Sequence, residues 1–202
     1  MNGEVNTKIA DRAFFETDPV SCAHSLIGCE LVWKRTAGLI VETEAYAEQG
    51  DQASHTFLRR GAREFIEKNP AGTLYVYLNY GVHWLLNFLV KNGNTNGFVL
   101  IRALEPTDGC ELMAQRRRTN VDRNLCSGPG KLTQALAIDS AFHGRDFFQI
   151  SGVRLLHKRQ VVRVEIDRRV GITKSVELDW RFLLAQSSFV SVPKRKTRPR
   201  AD

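Results

Sequence analysis

Residues Leu39–Tyr46 read LIVETEAY, an apolar run that leads into two carboxylates and an aromatic ring. The run opens with strand-forming residues and therefore predicts a β-strand. Successive side chains of a strand point to opposite faces, so Glu42 and Glu44 share one face. A carboxylate buried in such a strand costs free energy unless it is paired, solvated or functional. Glu42 and Glu44 are therefore the first candidates for a site, with His55, nine residues after Tyr46, as a neighbour.

Other runs of strand-forming residues, separated by turn residues, predict an antiparallel meander in the middle of the chain and further strands towards its end. The predicted strands are Cys29–Lys34, Gly38–Tyr46, Thr73–Tyr80, Val82–Val90, Phe98–Leu104, Val161–Asp167 and one or two within Trp180–Val192. The chain is long enough for one full core without disulfides or metals. We expect an α+β fold: a single mixed domain with a mainly antiparallel β-sheet flanked by helices, over residues 1–192.

Capping signals predict three helices. The first begins at Asp18-Pro19 and ends at Gly28, the second runs from Pro106 to Arg118, and the third runs from Ser127 to about Ile138. Residues Gly50–Ala71 are polar and irregular, and we interpret them as a functional loop with one helical turn around Arg63–Glu67.

Charge and cysteine usage narrow the class of protein. The net charge of +7 favours a polyanionic partner. The basic residues cluster as Arg59, Arg60 and Arg63; Arg116–Arg118; Arg168 and Arg169; and the tail 193–202, which we expect to be disordered. The four cysteines lack paired spacing, which favours reduced thiols and a cytoplasmic protein. No apolar run is long enough to span a membrane, and a zinc site at Cys22, His24 and Cys29 lacks an evident fourth ligand.

Arg102 is a guanidinium among strand-forming residues, and a buried arginine needs an anionic partner. Glu44 or Glu42 would serve, and the arginine would hold the glutamate ionised and able to take a proton from water. Two carboxylates at this spacing are also about 6–7 Å apart, as in some glycosidases. From spacing alone, either glutamate could be the active one, and an ordinary salt bridge remains open.

The central strands are rich in aromatic residues. Tyr75 and Tyr77 share a face that can form a stacking surface, although such residues usually belong to the core. Tyr80 precedes Gly81 at a predicted turn tip, a position suited to a wedge that enters a duplex. Asn87 lies in an apolar strand, so its amide is either satisfied there or reads the edge of a substrate.

Residues Ser127–Lys131 read SGPGK at the start of a predicted helix. Free N–H groups at Gly130, together with Lys131, can hold one phosphate. The pattern is not a Walker A loop, and an ordinary capped helix fits it equally well.

Assembled, these segments resemble the alkyladenine (3-methyladenine) DNA glycosylase family, as a compact bacterial-type member. The matching stretches are IVETEAY with ASH, GTLYVYLNYG with Asn87, LIRALEP, and CSGPGKLTQAL, in order between about Ile9 and Val192. The resemblance implies a monofunctional DNA repair enzyme that flips alkylated or deaminated purines from duplex DNA and hydrolyses the N-glycosidic bond. It implies no metal, no cofactor and no cleavage of the backbone, and we expect a monomer.

The resemblance also implies roles for individual residues. Glu44 is similar to the general base, Arg102 to a partner that positions the water, and the backbone of Val170 to a third water contact. Tyr46, His55 and Tyr77 resemble the walls that stack the flipped purine, Tyr80 the wedge, and Asn87 the floor that rejects the 2-amino group of guanine. His83 and Trp84 depart from the vertebrate pattern beside the wedge.

Two other functions remain open on the residues alone. One is a non-catalytic, basic nucleic-acid-binding module with aromatic stacking platforms. The other is a carboxylate-based hydrolase of small nucleosides, which leaves Tyr80 and the basic clusters without a purpose.

Overall fold

The computed structural model describes residues 8–194, whose strands form one eight-stranded sheet. The strands are β1 (Glu30–Trp33), β2 (Thr36–Ala47), β3 (Leu74–Asn79), β4 (His83–Val90), β5 (Gly97–Asp108), β6 (Val153–Leu156), β7 (Val164–Asp167) and β8 (Arg181–Leu184). All strand pairs are antiparallel. The main order is β3-β4-β5-β2-β1-β6, and β8 pairs with both β2 and β7. The predicted fold class and the central meander are confirmed.

The described α-helices flank this sheet. They are α1 (Pro19–Leu26), α2 (His55–Leu58), α3 (Arg60–Lys68), α4 (Cys110–Arg117) and α5 (Pro129–Leu136). The predicted cap of α1 is confirmed, because the Asp18 carboxylate accepts hydrogen bonds from the N–H groups of Val20 and Ser21. α1 packs against β2 and α5 against β4, and these contacts bury the main apolar core.

β2 and β5 pair along their whole length and form the centre of the sheet. The register of β2 shifts between Ile40 and Glu42. Before the shift β2 pairs with β1, and after it Glu42–Glu44 lie opposite residues 181–183 of β8. The two candidate glutamates therefore have a strand on each side.

The prediction of an irregular loop over Gly50–Ala71 is wrong, because this segment forms α2 and α3. Ser54 caps α2 by accepting a hydrogen bond from the N–H of Thr56. α3 buries Ala62 and Ile66 in a small cluster on the far side of the polar helix face. Phe65 also packs against this cluster, but the helix has few apolar residues among its charged ones, so its composition resembles that of a polar loop.

The prediction that a helix begins at Pro106 is also wrong. β5 continues to Asp108, because Pro106 and Asp108 still pair with Gly38 and Ala37 of β2. α4 begins only after Gly109, whose φ is +68°. A Cβ at Gly109 would lie 2.3 Å from a backbone oxygen, so this close turn requires glycine.

In the C-terminal third of the chain, the strands differ in number and length from those predicted. β6, at the edge beside β1, was not predicted, since four residues of mixed burial give little pattern. β7 and β8 are shorter than the predicted segments Val161–Asp167 and Trp180–Val192. The proposed tail 193–202 lies outside the described residues apart from Pro193 and Lys194. Within residues 8–194, no helix is long and apolar enough to cross a membrane.

Candidate active site

Glu44 lies in the middle of the sheet and is fully buried. Its Oε1 accepts a 2.7 Å hydrogen bond from the N–H of Val170. Its Oε2 accepts hydrogen bonds from the Tyr46 hydroxyl, at 2.8 Å, and from Arg102 Nη1, at 3.2 Å. The structure thus brings together the four residues that the sequence had assigned to the water site and to one wall.

The electrostatic setting of Glu44 is a balance of opposed effects. Burial raises the pKa of Glu44, and Glu42 adds to the rise, whereas Arg102, Val170 and Tyr46 act to lower it. Arg102 therefore favours the ionised form of this glutamate, as expected, but desolvation outweighs its attraction and the pKa of Glu44 is raised. A carboxyl with a raised pKa is a stronger base once it is ionised.

Glu42 shares the face of Glu44, as predicted, but its surroundings differ. The guanidinium of Arg102 bridges the two carboxylates, since its Nε donates to Glu42 at 2.8 Å. Glu42 also accepts from Arg181 Nε at 2.8 Å and from the backbone N–H and hydroxyl of Ser191. Glu42 is therefore held between two arginines and the C-terminal segment.

A cavity of about 340 Å³ opens above this carboxylate cluster. Its walls are mostly aromatic and polar, and they contain all of the predicted base-binding residues. The lining includes Tyr46, His55, Tyr75, Tyr77, Tyr80, Asn87, Arg102, Pro129 and Val170. The volume lies near the lower end of the range for small-molecule sites, about 300–1,000 Å³, which suits a single ring system. Glu44 does not line the cavity itself, but its three hydrogen-bond partners do.

His55 forms one corner of the cavity. Its ring lies 4.3 Å from the ring of Tyr77, centroid to centroid, and its Nδ1 is 3.1 Å from the Tyr75 hydroxyl. Burial, together with the nearby charge of Arg59, lowers the pKa of His55 to about 4. The imidazole is therefore neutral at pH 7. Tyr75 itself is stacked on Phe98 in the small cluster. Its ring therefore belongs to the core, which is the usual place of aromatic residues in strands.

Asn87 is 3% exposed and both lines the cavity and satisfies a backbone group. Its Nδ2 donates a 3.0 Å hydrogen bond to the carbonyl of Tyr75, its partner on β3. That bond fixes the orientation of the amide at the cavity wall.

Tyr80 occupies the tip of the β3–β4 hairpin, as predicted. Tyr80 and Gly81 have φ values of +50° and +70°, the signs of a type I′ turn. The Tyr80 side chain is 87% exposed, yet it lines the mouth of the cavity. A large aromatic residue held in the left-handed region and in solvent is unusual for a purely structural role.

The start of α5 lies beside the same mouth, because Pro129 lines the cavity. Lys131 Nζ is 3.3 Å from the Ser127 hydroxyl. A Cβ at Gly130 would lie 2.7 Å from the His83 ring, so a larger residue there would displace that ring. Gly130 and Lys131 are therefore available at the rim, next to the hairpin that carries Tyr80.

Sequence analysis missed the pair Asp51–Arg169 behind the cavity. Arg169 was placed in a basic surface cluster, but its side chain is fully buried and donates to Asp51 at 2.6 Å and 2.8 Å. Its guanidinium carbon lies 4.7 Å from the centre of the Tyr46 ring and 5.3 Å from that of Trp180. Arg181 was also missed, although an arginine among strand-forming residues is the signal that identified Arg102.

The described residues contain no group of three or more His, Cys, Asp or Glu side chains arranged to hold a metal. The thiols of Cys22 and Cys29 lie near the carbonyls of Phe14 and Ser25. Burial raises the pKa of both thiols. The alternative of a zinc site at Cys22, His24 and Cys29 is therefore not supported.

Comparison with known proteins gives a single family. A family model described as methylpurine-DNA glycosylase matches residues 13–188. A protein of Agrobacterium fabrum assigned as a 3-methyladenine DNA glycosylase is 42% identical over 180 residues, which make up 89% of this chain and 91% of the relative. A relative of Rhizobium meliloti with the same assignment is 43% identical over 182 residues, 90% of this chain and 96% of its own length.

This chain belongs to the methylpurine-DNA glycosylase family. The resemblance drawn from the sequence is therefore confirmed, and so is the class of enzyme: a DNA glycosylase, a hydrolase that acts in the repair of alkylated purines. Membership in the family implies damaged DNA as the substrate.

Proposed function

We propose that this enzyme flips alkylated or deaminated purines, 3-methyladenine among them, out of duplex DNA. It then hydrolyses their N-glycosidic bond with a water molecule activated by Glu44, and leaves an abasic site. One observation carries the proposal. The buried Glu44 carboxylate is hydrogen-bonded to three residues that line an aromatic cavity with room for one ring system.

The hydrogen bonds of Glu44 do not use all of its capacity to accept hydrogen bonds. A carboxylate offers about four lone-pair sites, and three donors occupy Glu44. The remaining site accepts a hydrogen bond from a water at the cavity floor, where Arg102 and Val170 flank it. As the water oxygen bonds to C1′ of the deoxyribose and the bond from C1′ to the purine breaks, Glu44 takes the proton. The purine departs with the electrons of the broken bond.

The leaving group explains why one carboxylate suffices. N-Alkylation places positive charge on the purine, which weakens the glycosidic bond before the enzyme acts. Tyr46, His55 and Tyr77 then supply electron-rich and neutral ring faces for this cation. The carboxylate of Asp51 balances the charge of Arg169 behind Tyr46, so the arginine does not repel a cationic base.

Access to the cavity requires base flipping, which costs a few kcal/mol and costs least for damaged or mispaired bases. Tyr80, exposed at the cavity mouth, fills the gap that the base leaves in the duplex. Gly130 and Lys131, at the rim beside Pro129, bind a phosphate of the same strand. Asn87, whose amide is held by its hydrogen bond to the Tyr75 carbonyl, rejects the exocyclic 2-amino group of guanine in this proposal.

Release of free base under single-turnover conditions tests the proposal. Duplexes that carry 3-methyladenine, 7-methylguanine, hypoxanthine or ethenoadenine are each incubated with excess enzyme, and free base and abasic sites are counted separately. We expect one abasic site for each base released and strand breaks only after alkali. Binding without release would instead identify a non-catalytic module, and equal rates on free nucleosides would identify a nucleoside hydrolase.

A further inference from the structure

We propose that Ser191 is a positioning residue for excision, because it closes the hydrogen-bond network that aims Arg102 at Glu44. The proposal rests on the proposed function, in which Glu44 is the general base. It assigns a role in the reaction to the C-terminal segment, far in sequence from the cavity residues.

Ser191 contacts both members of the Glu42–Arg102 pair. Its backbone N–H donates to Glu42 Oε2 at 2.5 Å, and its hydroxyl donates to Glu42 Oε1 at 2.8 Å. The same hydroxyl oxygen accepts a 3.1 Å hydrogen bond from Arg102 Nη2. Ser191 is thus the only described side chain besides the two glutamates that forms a hydrogen bond with this guanidinium.

These contacts hold all three nitrogens of the Arg102 guanidinium. Nε is held by Glu42, Nη1 by Glu44 and Nη2 by Ser191. Because the guanidinium is planar, three fixed partners allow it one orientation, in which Nη1 reaches Glu44 and the cavity floor. Without the Ser191 hydroxyl, Arg102 Nη2 loses its hydrogen bond. The guanidinium can then rotate away from Glu44 and bind another acceptor or water.

The hydrogen bonds of Arg181 also hold the segment that carries Ser191. Arg181 joins Glu42 through Nε and Asp167 through Nη1, and its Nη2 donates to the carbonyl of Val192. The functional domain therefore needs the chain through Val192. Of the two described tail residues, Lys194 lies near Glu165, with 3.9 Å between their charged atoms, rather than near this network.

The pH dependence of excision distinguishes positioning from a merely structural role. The charge of Arg102 acts to lower the pKa of Glu44. If the guanidinium rotates away from Glu44, that pKa rises further. A base must be deprotonated to act, so the rate falls at low pH as Glu44 becomes protonated. A higher pKa of Glu44 moves this fall, the acid limb of the pH–rate profile, to higher pH. A variant that is only less stable loses activity without moving this limb.

The experiment measures single-turnover release of 7-methylguanine from a duplex across pH for the wild type, Ser191→Ala, Ser191→Thr and Glu44→Gln. The fixed charge of this base makes its departure independent of an added proton. For Ser191→Ala we expect a plateau rate lower by about tenfold, the typical effect of losing one hydrogen bond to a charged group. Its acid limb should lie at higher pH, with unchanged affinity for lesion DNA. Ser191→Thr, which keeps the hydroxyl, should restore both the rate and the limb.

Chain truncation gives an independent readout. A chain that ends at Val192 should keep the wild-type acid limb, whereas one that ends at Val190 should behave like Ser191→Ala or worse. The positioning role would be overturned if folded Ser191→Ala kept the wild-type acid limb, or if Ser191→Thr were as impaired as Ser191→Ala. Either result would leave Glu44 as the base. If the wild-type limb persisted in Glu44→Gln, the base would lie elsewhere, and both this proposal and the proposed function would fail.

Discussion

The hydroxyl of Tyr46 donates a 2.8 Å hydrogen bond to Oε2 of Glu44. The wall of the cavity and the buried carboxylate beneath it are therefore one hydrogen-bonded unit, built from two residues that are neighbours on the same face of β2. A substrate that packs against the Tyr46 ring therefore contacts a residue whose hydrogen bond also acts to lower the pKa of Glu44.

Replacing Tyr46 with Phe removes this hydrogen bond but keeps the ring. The bond acts to lower the pKa of Glu44, so the variant should show a higher pKa for this carboxyl. Excision should then lose rate first at the acid end of its pH profile, by about tenfold for one hydrogen bond to a charged group, with little change in affinity for lesion DNA. Tyr77→Phe is the control, since it removes a cavity hydroxyl and leaves the Tyr46–Glu44 bond intact. Equal profiles for the two variants would contradict this coupling.

Tyr80→Ala should impair excision from fully paired duplexes more than from mismatched ones. A wedge stabilises the flipped state by filling the vacated space, and this contribution matters less where stacking is already weak. We expect a difference of about tenfold between the two substrates, since flipping costs a few kcal/mol. Val82→Ala, at an exposed position two residues further on, should lack this selectivity. Equal losses on both substrates would assign Tyr80 a structural role.

Asn87→Ser should relax discrimination against guanine. A floor that excludes an exocyclic amine works through a clash, so a shorter side chain admits the wrong base. The measurement is release of undamaged guanine, paired and mispaired, by folded variants. Asn79→Ser, which shortens another amide of the cavity lining, is the control and should stay selective. If Asn87→Ser were as selective as the wild type, its amide would serve only to satisfy the Tyr75 carbonyl.

Asp51→Asn should destabilise the fold strongly, because it leaves the charge of Arg169 buried without its partner. Both side chains are fully buried, and breaking such a pair costs about 3–5 kcal/mol. The exposed pair Arg168–Asp179 offers a matched control, with 3.8 Å between its charged atoms. Asp179→Asn should change the free energy of unfolding by less than about 1 kcal/mol. Urea denaturation of both variants measures the difference, and similar midpoints would contradict the buried ion pair.

The features that could be predicted from the sequence were those that a few neighbouring residues determine. The alternation around Leu39–Tyr46 placed Glu42 and Glu44 on one face, and the structure confirms this through their shared contact with Arg102. Local signals at Asp18-Pro19 and Tyr80-Gly81 likewise gave a helix cap and a hairpin tip.

The features that escaped prediction depend on contacts between distant residues. Asp51 and Arg169 are 118 positions apart, and an arginine beside another arginine resembles a solvated surface cluster. Glu42 and Ser191 are 149 positions apart. The rise in the pKa of Glu44 also depends on its complete burial on β2 between β5 and β8, which the alternation of a single strand does not reveal.

The central claim is that Glu44 is the general base, and single-turnover excision by Glu44→Gln tests it most directly. The amide keeps the shape of the side chain but cannot take a proton, so the rate should fall by about 10²–10⁴. Lesion binding should be retained, and hypoxanthine, the poorer leaving group, should suffer most. Glu42→Gln is the matched control; it should lose stability and some positioning of Arg102, but much less rate than Glu44→Gln. A wild-type rate for Glu44→Gln together with an inactive but folded Glu42→Gln would contradict the claim and move the base two residues along the strand.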